Sequence, residues 1–281
     1  MADTGYGQDA GAKTYAALEV AILAWSPGWN FLGANVLMSV TEPVFGVDLY
    51  GAAVSGTAVG PPFTGTTFYP TVHNMAFNPL TLSWNLGQGW FTSAGLTVFA
   101  PDGSMYQGTL NPDYWTVEPR FAISYLGGGW DLTANLIYDF NGTSCGITGP
   151  MGGIPTFAPY ANGYHSGDQT FVDVTATKRL GKWEIGPVAT FEWQPTSDAP
   201  GSRLSCAQMA AASAGSLTCG RANEIALGGL VGYDFGSTVL QLFVTDSVYA
   251  TDAISGLAIW SRLSFRLWAP DPPNGPTSGK N

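Results

Sequence analysis

The side chains equipped for ionic or acid–base chemistry are few in this chain, and most recur at even spacings. Glu118 and Arg120 stand two apart; Asp131 and Asp139, Asp173 and Arg179, Glu184 and Glu192, Glu224 and Asp234, and Arg262 and Arg266 form further even-spaced sets. Glu19 and Asn35 sit in similar surroundings nearer the start. Even spacing puts such residues on one face of an extended strand. Charged groups on an enclosed polar face either bathe in water or pair across strands. Glu118 or Arg120 is expected to meet Asp131, and Asp173 or Arg179 to meet Glu184. Two uses fit the set: ion pairs that stiffen a wall, or a mostly acidic constriction that tolerates cations.

Catalysis finds little support. The two histidines are His73 and His165, the latter in "GYHSGDQT". Ser166 beside His165 would point to the opposite strand face, which is poor geometry for a nucleophile and its base. No catalytic residue is assigned, and no cofactor or ATP-binding motif is expected. Cys145, Cys206 and Cys219 have neither the CxxC spacing nor the His partners of a metal site. Cys206 and Cys219 are placed to close a loop disulfide in an oxidising compartment, or to remain free thiols. Lys and Arg total 10 against 20 Asp and Glu, which speaks against a nucleic-acid partner.

The elements that position these residues follow from composition. Of 281 residues only 11% are charged, against roughly 25% in soluble domains. Aromatics reach 13% and glycines number 37. No apolar run approaches the ~18 residues of a membrane helix. A surface that meets lipid needs few charges. In "ISYLGGGWDLTANLIYDF" (123–140) Trp130, Leu132, Leu136, Tyr138 and Phe140 share one face, and Asp131, Thr133, Asn135 and Asp139 the other. Period-two alternation of this kind predicts strands at about 15–25, 31–41, 75–86, 90–99, 114–125, 130–140, 170–180, 183–194, 223–235, 238–249 and 257–268. The first is read with Leu18, Val20 and Ile22 toward lipid. "CAQMAAASAGSL" is loop or a short helix; no other helix is expected.

Short glycine turns ("SPGW", "LGQG", "LGGG", "LGK", "FGS") alternate with long Gly/Pro/Ser/Thr-rich connections; only 250–256 is brief among the latter. That layout is the antiparallel up-and-down transmembrane β-barrel, with short periplasmic turns and longer extracellular loops. Trp25, Trp29, Trp84, Trp90, Trp115, Tyr125, Trp130, Trp183, Trp193, Tyr233, Tyr249 and Trp268 lie near strand ends, as the aromatic girdles of such barrels do. The apolar face then meets hydrocarbon and the polar face lines a lumen. The lumen-facing candidates are Glu19, Asn35, Glu118, Arg120, Asp131, Asp139, Asp173, Arg179, Glu184, Glu192, Glu224, Asp234, Arg262 and Arg266.

Eleven strands is an odd number, and single-chain bacterial barrels close with an even one. A twelfth strand and an export signal preceding residue 1 are expected. The alternative is an extra strand within 42–74, where "VFGVDLYGAAVSG" alternates weakly. Residues 1–14 are read as a disordered or leftover segment, 15–268 as the barrel and 269–281 as a flexible tail.

Several stretches carry a family resemblance: "NPLTLSWNLGQGWFTSAGLTVFAPDGSM" (78–105), "YWTVEPRFAISYLGGGWDLTANLIYDFNG" (114–142), "GYHSGDQTFVDVTATKRLGKWEIGPVATFEWQ" (163–194) and "SGLAIWSRLSFRL" (255–267). The chain resembles outer-membrane proteins of the meta-pathway of phenol degradation over about 15–268. "APDG" replaces the family's usual threonine turn. The resemblance implies a bacterial outer-membrane location and passage of small hydrophobic or aromatic compounds. Its implied partners are the lipid bilayer, lipopolysaccharide, the barrel-assembly machinery and a small hydrophobic substrate. A structural or adhesive barrel with partner-binding loops, and an outer-membrane hydrolase, are the alternative readings.

Overall fold

The computed structural model describes residues 13–55, 58–65, 71–103, 114–143, 165–199, 219–253 and 255–268. Residues 1–12, the tail 269–281, the Ala-rich stretch 206–217, Cys145 and Cys206 lie outside them. The described residues are all-β: β1 (Lys13–Trp25), β2 (Asn30–Phe31), β3 (Ala34–Ser55), β4 (Ala58–Gly65), β5 (Thr71–Val72), β6 (Ala76–Gly87), β7 (Trp90–Phe99), β8 (Thr116–Gly127), β9 (Trp130–Asn141), β10 (Gln169–Leu180), β11 (Trp183–Trp193), β12 (Asn223–Asp234), β13 (Thr238–Thr251) and β14 (Leu257–Phe265).

They form one antiparallel sheet in the order β1-β3-β6-β7-β8-β9-β10-β11-β12-β13-β14. Each strand on this path pairs with its neighbours in sequence, the meander expected of an up-and-down barrel. The weakly alternating segment after residue 42 is no crossing strand. It continues β3 beyond its pairing with β6, and there β4 and β5 pair back onto β3. The short–long rhythm of the connections is therefore undisturbed.

The turns are tight for a chemical reason. Gly127 pairs with Trp130 across Gly128 and Gly129, whose φ values are 57° and 79°. Two positive φ angles make the turn whose twist matches a hairpin, and glycine adopts them without a Cβ clash.

Registration carries one face through the sheet. Phe140 pairs with Val117, Val117 with Val98, Val98 with Phe77, and Phe77 with Val40. Leu132, Leu136, Phe121, Ile123, Ile185 and Leu242 are all exposed on this face. Soluble monomers rarely expose a continuous apolar surface of such extent; here it is the surface that hydrocarbon covers. Alternate residues face inward. Glu118, Thr97, Thr177, Glu184 and Gln241 are buried there despite being polar, because the curled sheet crowds them together.

Glycine permits the curl. A Cβ at Gly228, on the inward side of β12, would strike the Val244 carbonyl and approach Thr245 Cα to 2.7 Å. Within a strand, glycine at so close an approach marks a sharp bend.

β1 and β14 end the path, and among the described residues neither pairs with the other. Both run from the loop end to the turn end, so joining them directly would require a parallel pair. A strand of opposite direction between them would complete an antiparallel cylinder.

The two faces of β9 differ in their tolerance of charge. Leu136→Arg is expected to destabilise the folded state in bilayers by about 2–4 kcal/mol, the cost of a basic side chain at mid-membrane depth. Asn135→Arg, one residue away and inward, is expected to cost far less. Urea titration of the two variants refolded in vesicles measures the difference.

Candidate functional site

The candidate site is the inward face. Near the loop end of β8–β12 it carries an acidic field. Glu118 falls opposite Asp139, bracketed by the pairs Val117–Phe140 and Arg120–Ile137. Glu192 pairs directly with Glu224, and Asp173 lies between Asn135 and Thr190. Arg120 makes an ion pair with Glu118 on its own strand. Gln169 Nε2 donates to Glu192 Oε1 at 3.4 Å, and Ser247 Oγ donates to Glu224. Carboxylates thus outnumber cations in this region.

The expected ion pairs across strands are replaced by other partners. Glu118 and Arg120 bond to each other, while Asp131 accepts from Thr133 Oγ1 at 3.0 Å. Arg179 stands opposite Glu184 in register, yet the Glu184 carboxylate takes neutral donors: Thr177 Oγ1 at 2.7 Å and Gln241 Nε2 at 2.9 Å. Asp234 caps its turn by accepting from the Gly236 amide at 2.7 Å. Arg266 lies just past β14. Glu19 shares the face of Leu23 and Trp25, which pair with Val40 and Met38; this is the outward face. The sequence misleads there because "YAALEVAILAW" places apolar residues on both faces, and only pairing with β3 decides between them.

A polar chain crosses the wall nearer the turn end. Gln241 Oε1 accepts from Arg262 Nε at 2.8 Å, and the Arg262 guanidinium lies 5.3 Å from the Phe243 ring centroid. With Thr177 and Glu184 this links β10, β11, β13 and β14. The chain passes over Gly232 of β12: a Cβ there would lie 3.0 Å from Gln241 Cγ and 3.3 Å from Glu184 Oε2.

Alternation alone did not reveal that the lumen is also apolar. Ile137 pairs with Phe171 on the inward face, and Phe171 pairs with Glu192. Leu230 pairs with Phe243, also inward. These residues sit among the charged positions, and a strict polar-inside expectation passes over them. On β1, Leu18, Val20 and Ile22 take the inward parity as well, because they alternate with Glu19.

The histidines have structural surroundings. His165 Nδ1 lies 3.1 Å from the Gly142 carbonyl, and its backbone bridges Thr143 and Ala199. The His73 amide donates to Pro43 O at 2.8 Å. Burial holds the His73 imidazole below its ordinary pKa, opposed by a backbone hydrogen bond with Asn74. Cys219 is disulfide-bonded.

Aromatic residues gather in two rows. At the turn end Trp25 meets Trp29 at 5.8 Å, Trp90 meets Tyr125 at 5.2 Å, and Trp183 meets Tyr233 at 4.8 Å. Trp130 and Trp84 stand at the same end, and the Trp84 indole donates to Leu32 O at 3.0 Å. At the loop end are Trp115, Trp193, Tyr249 and the Tyr138–Phe140 pair at 4.5 Å. Trp268 lies beyond β14.

Replacing Gln241 by Leu leaves the buried Glu184 with Thr177 alone and takes from Arg262 its acceptor. A loss of about 2–3 kcal/mol is expected, the scale of charged groups left short of partners. Gly232→Val should cost a similar amount by displacing both side chains. Chemical unfolding of each variant measures it.

Comparisons place this geometry among known proteins. A crystal structure of an outer membrane channel from Pseudomonas putida F1 superposes with a TM-score of 0.68, at 10% sequence identity, covering 93% of this chain and 87% of that one. That likeness establishes the barrel fold. No match is found among curated proteins. A family model matches residues 2–263, nearly the whole sequence, and the chain therefore belongs to the family described as "Putative MetA-pathway of phenol degradation".

Proposed function

We propose that the chain is a passive outer-membrane channel for small hydrophobic or aromatic compounds. The observation that carries this reading is the mixed inward face, where Ile137 and Phe171 pair with each other beside Arg120 and Glu192. A lumen meant for ions alone gains nothing from placing the half-buried Phe171 there. A neutral aromatic compound can lie against Ile137 and Phe171 while its hydroxyl donates to a carboxylate, and Leu230 with Phe243 offers a second apolar patch nearer the turn end. The family description points to phenol degradation, and the similar structure is an outer membrane channel; both favour the same reading. The turn end then faces the periplasm and the loop end the exterior, with lipopolysaccharide around the loop-end girdle and the barrel-assembly machinery as the insertion partner.

Charge sets the second property. Glu118, Asp139, Asp173, Glu192 and Glu224 share the loop-end part of the inward face with Arg120, so any aqueous path past them is expected to favour cations. Reversal potentials under a salt gradient in planar bilayers should show cation preference. Replacing Asp173 and Glu192 by Asn and Gln should lower that preference. Anion preference in the unaltered protein would overturn this part of the reading.

Uptake by vesicles tests the substrate class. The chain reconstituted in vesicles should accelerate entry of a neutral phenol over that of a benzoate-type anion. Phe171→Ser, which adds no charge, should slow phenol entry several-fold while leaving cation preference unchanged. Equal entry with and without the protein would refute the channel.

A further inference from the structure

The lipid-facing surface carries a basic feature at the turn end that the channel does not use. Lys178 of β10 is on the outward side: it pairs with Trp130 on β9 and Ile185 on β11, both exposed on that face. Its Nζ lies 4.7 Å from the Trp130 ring centroid and donates to the Gly128 carbonyl at 2.7 Å. An ammonium has three donors, so two remain for a further acceptor. Lys182 lies in the adjoining turn, fixed by its carbonyl, which accepts from the Asp234 amide at 2.9 Å.

The acids at this end are turned away or occupied. Asp131 and Glu184 face inward with the hydroxyl and amide partners described above, and Asp234 caps its own turn. On the outer side the neighbours are aromatic: Trp183, Tyr233 and Phe235 meet in sequence, edge to face, with ring centroids 4.8 and 4.7 Å apart. Indole and phenol rings settle at headgroup depth, which sets the level of Lys178 and Lys182. A lysine stem lying along apolar surface delivers its charge to that level.

We propose that Lys178 and Lys182, framed by Trp130 and Trp183, form a site for the headgroup of an anionic phospholipid in the leaflet at the turn end. The lipid phosphate accepts from the two remaining Lys178 donors, and Lys182 adds charge from the turn. The acyl chains run up the apolar face past Ile185 and Leu132. The assignment rests on the membrane orientation of the channel reading, though it does not require solute passage.

Native mass spectrometry of the detergent-solubilised chain, titrated with phosphatidylglycerol or phosphatidylcholine, tests it. The unaltered protein should retain phosphatidylglycerol preferentially. Each lysine near an anionic surface is worth about five-fold in affinity, so Lys182→Gln should reduce the preference about that much, and the Lys178→Gln, Lys182→Gln double variant should abolish most of it. Lys178→Arg should keep it, which guards against a variant that merely misfolds. Equal retention of both lipids, an undiminished preference in the double variant, or displacement of the lipid by inorganic phosphate at similar concentration would overturn the assignment. Phenol entry into vesicles made from the same preparations separates the two readings. A protein that speeds no phenol entry but retains phosphatidylglycerol refutes the channel alone; one that speeds entry without lipid preference refutes the lipid site alone.

Discussion

The architecture depends on one constraint: a backbone amide in hydrocarbon has no water to bond to, so it must find a carbonyl in the protein. A meandering sheet satisfies this demand with neighbours in sequence, which is why β6 through β14 pair in chain order. The period-two geometry of a strand then forces a division of side chains. Whatever faces lipid at one residue leaves the next for the lumen. A shift of register by one residue would send Asp131, Asp173 and Glu184 into lipid, at several kcal/mol for the set. The register is therefore fixed by charge as firmly as by hydrogen bonding. The two-residue glycine turns reinforce it, since they leave no slack at the ends of the hairpins.

The same division explains how few charges the protein needs. The outer surface requires none at mid-depth, and the aromatic rows at its two ends have the chemistry that suits the transition from hydrocarbon to water. Charge is concentrated where the protein encloses its own solvent. There the pattern is graded. Carboxylates dominate toward the loop end, while toward the turn end Glu184 and Arg262 are joined through an amide, Gln241. Between and beside them lie Ile137, Phe171, Leu230 and Phe243. Neither a water-filled pore lined only by charge nor a packed apolar core has that arrangement.

The fold was largely legible in the sequence because strand and turn signals are local. Trp130 to Asn141 alternates on its own, and Gly128 and Gly129 mark its beginning. The limits of β3 were less legible: the strand continues past residue 41 because β1, β4 and β5 pair with it there, and pairing is not written in a single segment. The face of Glu19 failed for a related reason. Alanine-rich β1 has apolar residues on both sides, so its orientation is inherited from β3. Partner choice in the lumen was the least legible. Spacing puts Arg179 opposite Glu184, but three residues in other strands, Thr177, Gln241 and Gly232, determine what Glu184 touches. Those contacts depend on how tightly the sheet curls, which no periodicity encodes.

The amide at position 241 shows why a direct ion pair is absent from that wall. A carboxylate and a guanidinium withdrawn from water repay their desolvation only when geometry is excellent and every remaining donor and acceptor is used. Glu184 and Arg262 are separated by β12 and β13, too far for contact without strain. Glutamine offers a donor on one side and an acceptor on the other, so it serves both charges in one side chain. Glutamate at 241 would satisfy Arg262 but repel Glu184, and lysine would do the reverse. Leucine would serve neither. The absence of a side chain at Gly232 favours the arrangement, because the bridge passes over β12 where a Cβ would lie 3.0 Å from Gln241 Cγ and 3.3 Å from Glu184 Oε2. A glycine in β12 thus leaves room for a chain of contacts that links β10, β11, β13 and β14.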